Sequence, residues 1–251
     1  MTGYFARLGT RVLGRKVYYK KTTASTNDDA MEGRHGDLFV ADAQSAGRGR
    51  LDHKWFSPPG LNLYCSLVLD VSGLEPETVS TLPLVAGLAA AETADCFYSG
   101  VSLVKWPNDV LAKGGKICGI LCRLSGTLAT AGIGINVNET QFPEELSGRA
   151  SSLRLLAGAE IDRWAVLAEL MNNFEARYEE WKSAGFAPLA AELSKRDFLK
   201  GAQVSVLRSD SDPNPAAGLC GGIAANGALI VDGKEIFSGE AHVQIHSAHC
   251  I

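Results

Sequence analysis

VSLVKWPNDVLAKGGKICGILCRL, Val101–Leu124, reads as three strands of a sheet and the turns that join them. VSLVKW is rich in β-formers and is stopped by Pro107, which cannot donate to a ladder. DVLA and KICGILCRL flank KGG, with Gly114-Gly115 as the turn signal of a tight antiparallel hairpin. Two features are out of place in a plain hairpin. The proline presents Asn108 and Asp109 at a strand end, either as an ordinary Asn-Asp turn or as polar groups aimed at a ligand. Lys116 lies between glycines on an otherwise apolar strand, so it must meet solvent at an edge or face an anion.

Outward from the hairpin the chain alternates strands and helices. TLATAGIGINVN (Thr127–Asn138) is a further strand, with glycines where a backbone can approach something closely. DLFVADAQ (Asp37–Gln44) and NLYCSLVLD (Asn62–Asp70) are upstream strands, and Thr78–Ser99 is an Ala-rich buried helix. Apolar residues at Ile161, Trp164, Leu167, Leu170, Met171, Phe174, Tyr178 and Trp181 mark an amphipathic helix expected to pack on the sheet. Ser25, Thr26 or Asn27 is placed to cap a short helix through a side-chain oxygen. The fold class is therefore α+β, a mixed β-sheet with helices packed on it. From Gly201 the chain changes to short glycine-punctuated strands with an Asn226-Gly227 turn, which predicts a small C-terminal β-barrel docked on the larger body. The expected domains are 1–199 and 200–251.

Chemistry concentrates in a second stretch, ADAQSAGRGRLDHKW, Ala41–Trp55. Glycine opens positive φ and close approach, and arginine brings a planar fork that matches carboxylate and phosphate oxygens. A net charge of -4 supplies no global field for nucleic acid, and one GRGR run between apolar strands is not a repetitive RNA-binding segment. The loop lacks the P-loop spacing and G-x-G-x-x-G. Six cysteines without a CxxC pair, and no secretory signal, predict reduced thiols in a cytoplasm. No apolar run is long enough to span a bilayer, so no membrane partner is expected. Without a GxSxG elbow or a Cys–His pair close in sequence, the residues point to chemistry between two bound substrates that the protein positions and neutralises. Ser25, Thr26, Asn27 and Gln44 would form an amide-binding side, Arg48, Arg50 and Lys116 a cationic side, and Asp109 an acidic turn.

ASTN, Q-x-x-GRGR, KWPND, GKICGIL and GIGINVN, in this order and spacing over nearly the whole chain, resemble the biotin protein ligases. The resemblance implies a class II synthetase-like catalytic domain with a small C-terminal barrel. It also implies a reaction in which biotin and ATP, with Mg²⁺, give biotinyl-5'-AMP and pyrophosphate. The biotinyl group then passes to a lysine of a biotin carboxyl carrier domain. Carried onto this sequence, Ser25, Thr26, Asn27 and Gln44 hydrogen-bond the biotin head group, and Arg48, Gly49 and Arg50 cover its carboxylate and the phosphate. Lys116 and Arg48 are the catalytic residues. Gly119 and Gly132 floor the pocket, Trp55 and Asn136 border the adenylate, and Asn108 and Asp109 face the nucleotide, Asp109 as the Mg²⁺ candidate. The glycine–arginine loop is expected to order when ligands bind, and a homodimer through a sheet edge is a further implication.

Two departures matter. His53 stands where such ligases often carry another arginine, which ties nucleotide affinity to its protonation. The catalytic pattern starts near Ser25, so no DNA binding is expected. The competing readings are a lipoate–protein ligase, a non-catalytic biotin or nucleotide sensor, and a metal site on His242, His246, His249 and Cys250. Residues four apart on a strand are too distant for the last of these. Cys118 and Cys122 share a strand face at a spacing too long for a disulfide and read as core.

Overall fold

The computed structural model describes residues 2–51, 53–209 and 211–244. In chain order it contains α1 (Thr2–Arg7), β1 (Lys16–Thr23), α2 (Thr26–Asp29), β2 (Asp37–Gln44), β3 (Leu63–Asp70), α3 (Pro76–Val79), α4 (Leu82–Asp95), β4 (Leu103–Lys105), β5 (Asp109–Ala112), β6 (Gly115–Ser125) and β7 (Leu128–Ile135). It continues with α5 (Leu153–Ala157), α6 (Arg163–Ala184), α7 (Ala187–Lys195), β8 (Gln203–Leu207), β9 (Ala216–Ile223), β10 (Leu229–Val231), β11 (Lys234–Ile236) and β12 (Glu240–Val243).

Among the described residues, β1 to β7 form a seven-stranded sheet in the order β1-β2-β3-β7-β6-β5-β4. Only β1 and β2 run parallel, which makes the sheet mixed as expected. β3 is an interior strand, and its run Leu63–Leu69, apolar but for Ser66, is wholly buried. Alternation sorts β6 and β7 into two faces. Cys118, Ile120, Ala131, Ile133 and Ile135 enter the core, while Gly119, Gly132 and Gly134 lie on the opposite face. α4 covers the core face; it is rich in alanine and glycine, so it sits close, with Gly87 facing Val104 and Ile120.

Several expectations change in detail. The helix expected at Thr78–Ser99 is broken at Ser80-Thr81 into α3 and α4, with Pro83 in the first turn of the second. α6 packs chiefly on α4 and α1 rather than on the sheet, because α4 already covers that face. The β5–β6 turn is Lys113-Gly114, with φ 47 and 84, since Ala112 pairs with Gly115. Both central residues of such a turn need positive φ. Gly115 serves close approach instead: a Cβ there would lie 2.7 Å from that of Ser151. Ser25 holds the N-cap position of α2 in extended conformation, but its own side chain makes no capping bond.

The C-terminal strands form an open antiparallel sheet, β11-β10-β9-β8-β12, not a closed barrel, among the described residues. β11 and β12 remain edges. The sheet covers its apolar face by docking: Val204, Val206, Cys220, Leu229, Val231 and Ala241 are buried in one core with Leu189 and Leu193 of α7. Trp106 Nε1 donates to Gly227 O (3.1 Å) and Ile223 N to Asp197 Oδ2 (3.0 Å), which fixes the junction. No described helix is long and apolar enough to cross a membrane.

Candidate active site

A cleft of about 760 Å³ opens on the glycine face of the first sheet. One end is built by the start of α2 and the end of β2. Thr26 N donates to Gln44 Oε1 (2.9 Å), Thr26 Oγ1 pairs with Ser66 Oγ (2.9 Å), and Gln44 Nε2 donates to Ser57 Oγ (3.0 Å). Asn27 Nδ2 donates to Leu121 O (2.9 Å), while its Oδ1 is buried and accepts nothing. Gly132 makes this possible, since a Cβ there would stand 2.4 Å from Asn27 Nδ2. Ser25 lines the same end.

The floor beyond is the paired glycines Gly119 and Gly134. They carry the Trp55 indole: a Cβ on Gly119 would meet it at 2.7 Å and one on Gly134 at 2.4 Å. The expected open glycine floor at Gly119 and Gly132 is therefore occupied by Trp55 and Asn27. Trp55 Nε1 is buried without a partner. Lys116 Nζ stands 5.3 Å from the indole centroid and 2.7 Å from Asp109 Oδ1. That contact is an ion pair of poor hydrogen-bond geometry, and Asp109 Oδ1 otherwise has no partner.

The loop from Ser45 to Ser57 forms the rim. Arg48 Nη2 donates to Asp28 Oδ2 (2.8 Å) and Arg50 Nη1 to Gly239 O (3.0 Å). Burial pushes the Arg50 guanidinium below the usual arginine range, with Glu240 and Asp109 opposing the shift. His53 Nε2 lies 3.9 Å from Glu240 Oε2. Two expected nucleotide contacts have donors committed elsewhere. Asn108 Nδ2 donates to Ile120 O (2.8 Å), and Asn136 Nδ2 donates to Lys116 O (3.3 Å) and Ser151 O (3.1 Å). Both fix backbone around the cleft: Asn108 spends one of its two amide N–H groups and Asn136 spends both.

All the sequence-selected residues line this cleft, yet two of its walls were not foreseen. One is the segment after β7, with Phe142, Glu145 and Arg149; the other is Glu240 and His242 of β12. The first had a signal, a long polar stretch after a glycine-rich strand. The second had none, because only docking of the second sheet brings it near. His242 has Glu240 beside it (3.8 Å), while His246, His249 and Cys250 lie outside the described residues. Among the described residues no three His, Cys, Asp or Glu side chains gather as metal ligands. Cys65 lines the cleft, but burial pushes its thiol up to about 12, so it is no thiolate nucleophile at neutral pH. Burial likewise pushes Cys122 up to about 12. Cys118 is in the core, Cys122 packs against it, and both are free thiols.

Neutral polar side chains thus gather at one end of the cleft, and Arg48, Arg50 and Lys116 stand with Asp109 at the other, between walls that carry Arg149, Glu145 and Glu240. The model of the biotin/lipoate A/B protein ligase family matches residues 14–138. The biotin--[acetyl-CoA-carboxylase] ligase of Mycobacterium tuberculosis is 35% identical over 193 residues, covering 73% of this chain and 71% of that protein. The bifunctional ligase/repressor BirA of Bacillus subtilis is 36% identical over 197 residues, covering 72% of this chain. The chain spans 59% of that bifunctional relative's length. The biotin protein ligase from Aquifex aeolicus, solved in complex with biotin and ATP, superposes with a TM-score of 0.82 at 31% identity, covering 92% of this chain and 99% of its own. The chain belongs to the biotin/lipoate A/B protein ligase family.

Proposed function

We propose that the protein is a biotin–[biotin carboxyl-carrier protein] ligase acting by an acyl-adenylate. One observation carries this reading. Four buried side-chain polar atoms lack a hydrogen-bond partner among the described residues, and three of them, on Asn27, Trp55 and Asp109, line the cleft. Buried polar groups are normally paired, so these await a ligand with polar groups at both ends. Asn27 Oδ1 accepts a ureido N–H of biotin, with Ser25, Thr26 and Gln44 completing that end. Gly119 and Gly132 let Trp55 and Asn27 lie flat on the strands as the surface beneath the ligand, and Gly49 lets the rim close over it.

In the first step a biotin carboxylate oxygen attacks the α-phosphorus of ATP and pyrophosphate leaves. Two anions must meet, so the barrier contains their repulsion. Lys116, Arg48 and Arg50 offset it with fixed positive charge in a site partly shielded from water. Trp55 and Asn136 border the adenylate, and Asn108 holds the turn that carries Asp109. In the second step the ε-amine of the acceptor lysine attacks the acyl carbon and AMP leaves. The rim loop excludes water from the mixed anhydride between the two.

Mg²⁺ fits as an ion brought by the triphosphate, which needs only one or two protein carboxylates. Asp109, whose Oδ1 is held by the Lys116 ammonium at 2.7 Å, is the residue that would hold it once Lys116 turned to the phosphate. There the ion would supply further neutralisation of phosphate charge. The acceptor is a biotin carboxyl carrier domain, and the reaction belongs in the cytoplasm. Residues 200–251 are a separate small domain whose β12 completes the rim.

ATP–pyrophosphate exchange with purified protein, Mg²⁺ and either biotin or lipoate tests the reading. Exchange with biotin alone supports it. Exchange with lipoate alone would reassign the substrate within the family. Biotin binding without exchange would make the protein a sensor.

A further inference from the structure

Asp28 follows Asn27 in α2 but does not line the cleft. Its carboxylate is shared between two guanidinium groups. Oδ2 accepts from Arg48 Nη2 and Oδ1 from Arg123 Nη1, each at 2.8 Å. Arg48 belongs to the rim loop, and Arg123 to β6, where it pairs with Thr130 of β7. One side chain thus ties the loop to the helix that builds the head-group end and to a central strand.

The loop has few other anchors near its tip. Gly49 N to His53 O, Trp55 N to Gly47 O and the Arg48–Lys54 bridge are internal to it. Arg50 to Gly239 O reaches the second sheet, and Trp55 rests on glycines. From this geometry we infer that Asp28 is a positioning residue that sets the Arg48 guanidinium at the cleft mouth, with Arg123 as its counter-cation. The inference rests on the proposed ligase activity for its functional half. Arg48 spends one N–H on Asp28 and keeps the rest of its fork for a ligand oxyanion. Arg123 matters because Asp28 alone would cancel the charge of Arg48. With both arginines present the cluster keeps one net positive charge beside the cleft.

All three side chains are part-exposed, so the tie orients the loop and adds little to global stability. The test uses the full chain and the variants Asp28→Asn, Asp28→Glu and Arg123→Ala. Chymotryptic cutting within residues 51–56 is followed without ligand, and the half-life of enzyme-bound biotinyl-adenylate is followed after pyrophosphate removal. Asp28→Asn should raise both the cutting rate and the adenylate release rate by about threefold or more, the scale of a part-exposed charged contact. Its melting temperature should not change. Asp28→Glu should restore most of both rates, and Arg123→Ala should speed adenylate release. Wild-type rates in Asp28→Asn would overturn the inference. So would faster cutting with unchanged adenylate retention, or cutting that merely follows a lowered melting temperature. Absence of biotin-dependent exchange in the wild type would overturn the ligase reading instead, and the ligand-free cutting rates would still decide whether Asp28 holds the loop.

Discussion

Two loops of this chain carry two glycines and two arginines each and are built for opposite roles. LGTRVLGR, Leu8–Arg15, and SAGRGRLDHKWFS, Ser45–Ser57, both interleave glycine with arginine. In the first, the Glu175 carboxylate accepts from the amides of Arg11 (2.6 Å), Val12 (2.8 Å) and Leu13 (2.8 Å). Tyr4 Oη adds a bond to Gly14 O (2.7 Å), and Leu13 is buried. The anion for that loop is supplied by the chain itself. In the second loop the donors turn to a cleft, and the tie to the body at Arg48 is a part-exposed ion pair. The first loop is closed by a carboxylate of its own chain, whereas under the proposed function the second takes its anion from a ligand, so tertiary structure separates the two.

The largest expected effect separates the functional region from the structural one. Lys116→Ala removes a charge-assisted contact worth about 1.5–3 kcal/mol, so biotin-dependent exchange should fall by about tenfold to a hundredfold at unchanged melting temperature. Near-normal turnover would remove Lys116 from the mechanism. Glu175→Gln should do the converse, costing about 1–3 kcal/mol in urea unfolding while leaving exchange per folded molecule unchanged.

That variant also carries a pH signature. Burial pushes the Glu175 carboxyl up, but the amides of Leu13, Arg11 and Val12 together outweigh it and hold it below its usual range. A lowered carboxyl contributes stability that is present above its unfolded-state value and lost as pH falls through its folded value. The stability gap between wild type and Glu175→Gln should therefore be full at pH 7 and shrink below about pH 4. A gap constant down to pH 3 would deny Glu175 the role of internal anion.

A smaller effect is expected from Gly134→Ala. Its methyl would sit 2.4 Å from Trp55 Nε1, so the indole must leave the floor or about 1–3 kcal/mol of overpacking must be absorbed. Tryptophan fluorescence should shift toward that of an exposed ring, and the KM for ATP should rise more than that for biotin. Unchanged fluorescence would mean that the strands, not the indole, yield. The smallest effect is protection of the rim loop by its ligands. Cutting within residues 47–55 should slow when biotin and ATP are added, while cutting within residues 8–15 stays slow in both states. Equal cutting of the rim with and without ligands would count against a closing loop.

What the sequence by itself determined follows from short-range rules. Runs of β-forming and apolar residues located the strands from Asp37 to Ile135, three-to-four spacing located α6, and glycine with proline located the turns to within a residue. The same rules marked Lys116, Arg48 and Arg50 as misplaced charges on or between apolar strands. Tertiary structure alone decided the rest, because it depends on what lies across the sheet and not along it. Gly119, Gly132 and Gly134 look alike in the chain, yet Gly132 makes room for Asn27 and the other two for Trp55. Asn108 and Asn136 also donate to backbone carbonyls of neighbouring segments, a structural role that composition does not announce. The C-terminal strands had the glycine pattern of a barrel, but among the described residues they form an open sheet whose apolar face is buried by docking on α7. Glu175 and Asp28 carry no local mark at all. Each acquires its role from amides or guanidinium groups that folding brings to it from other elements.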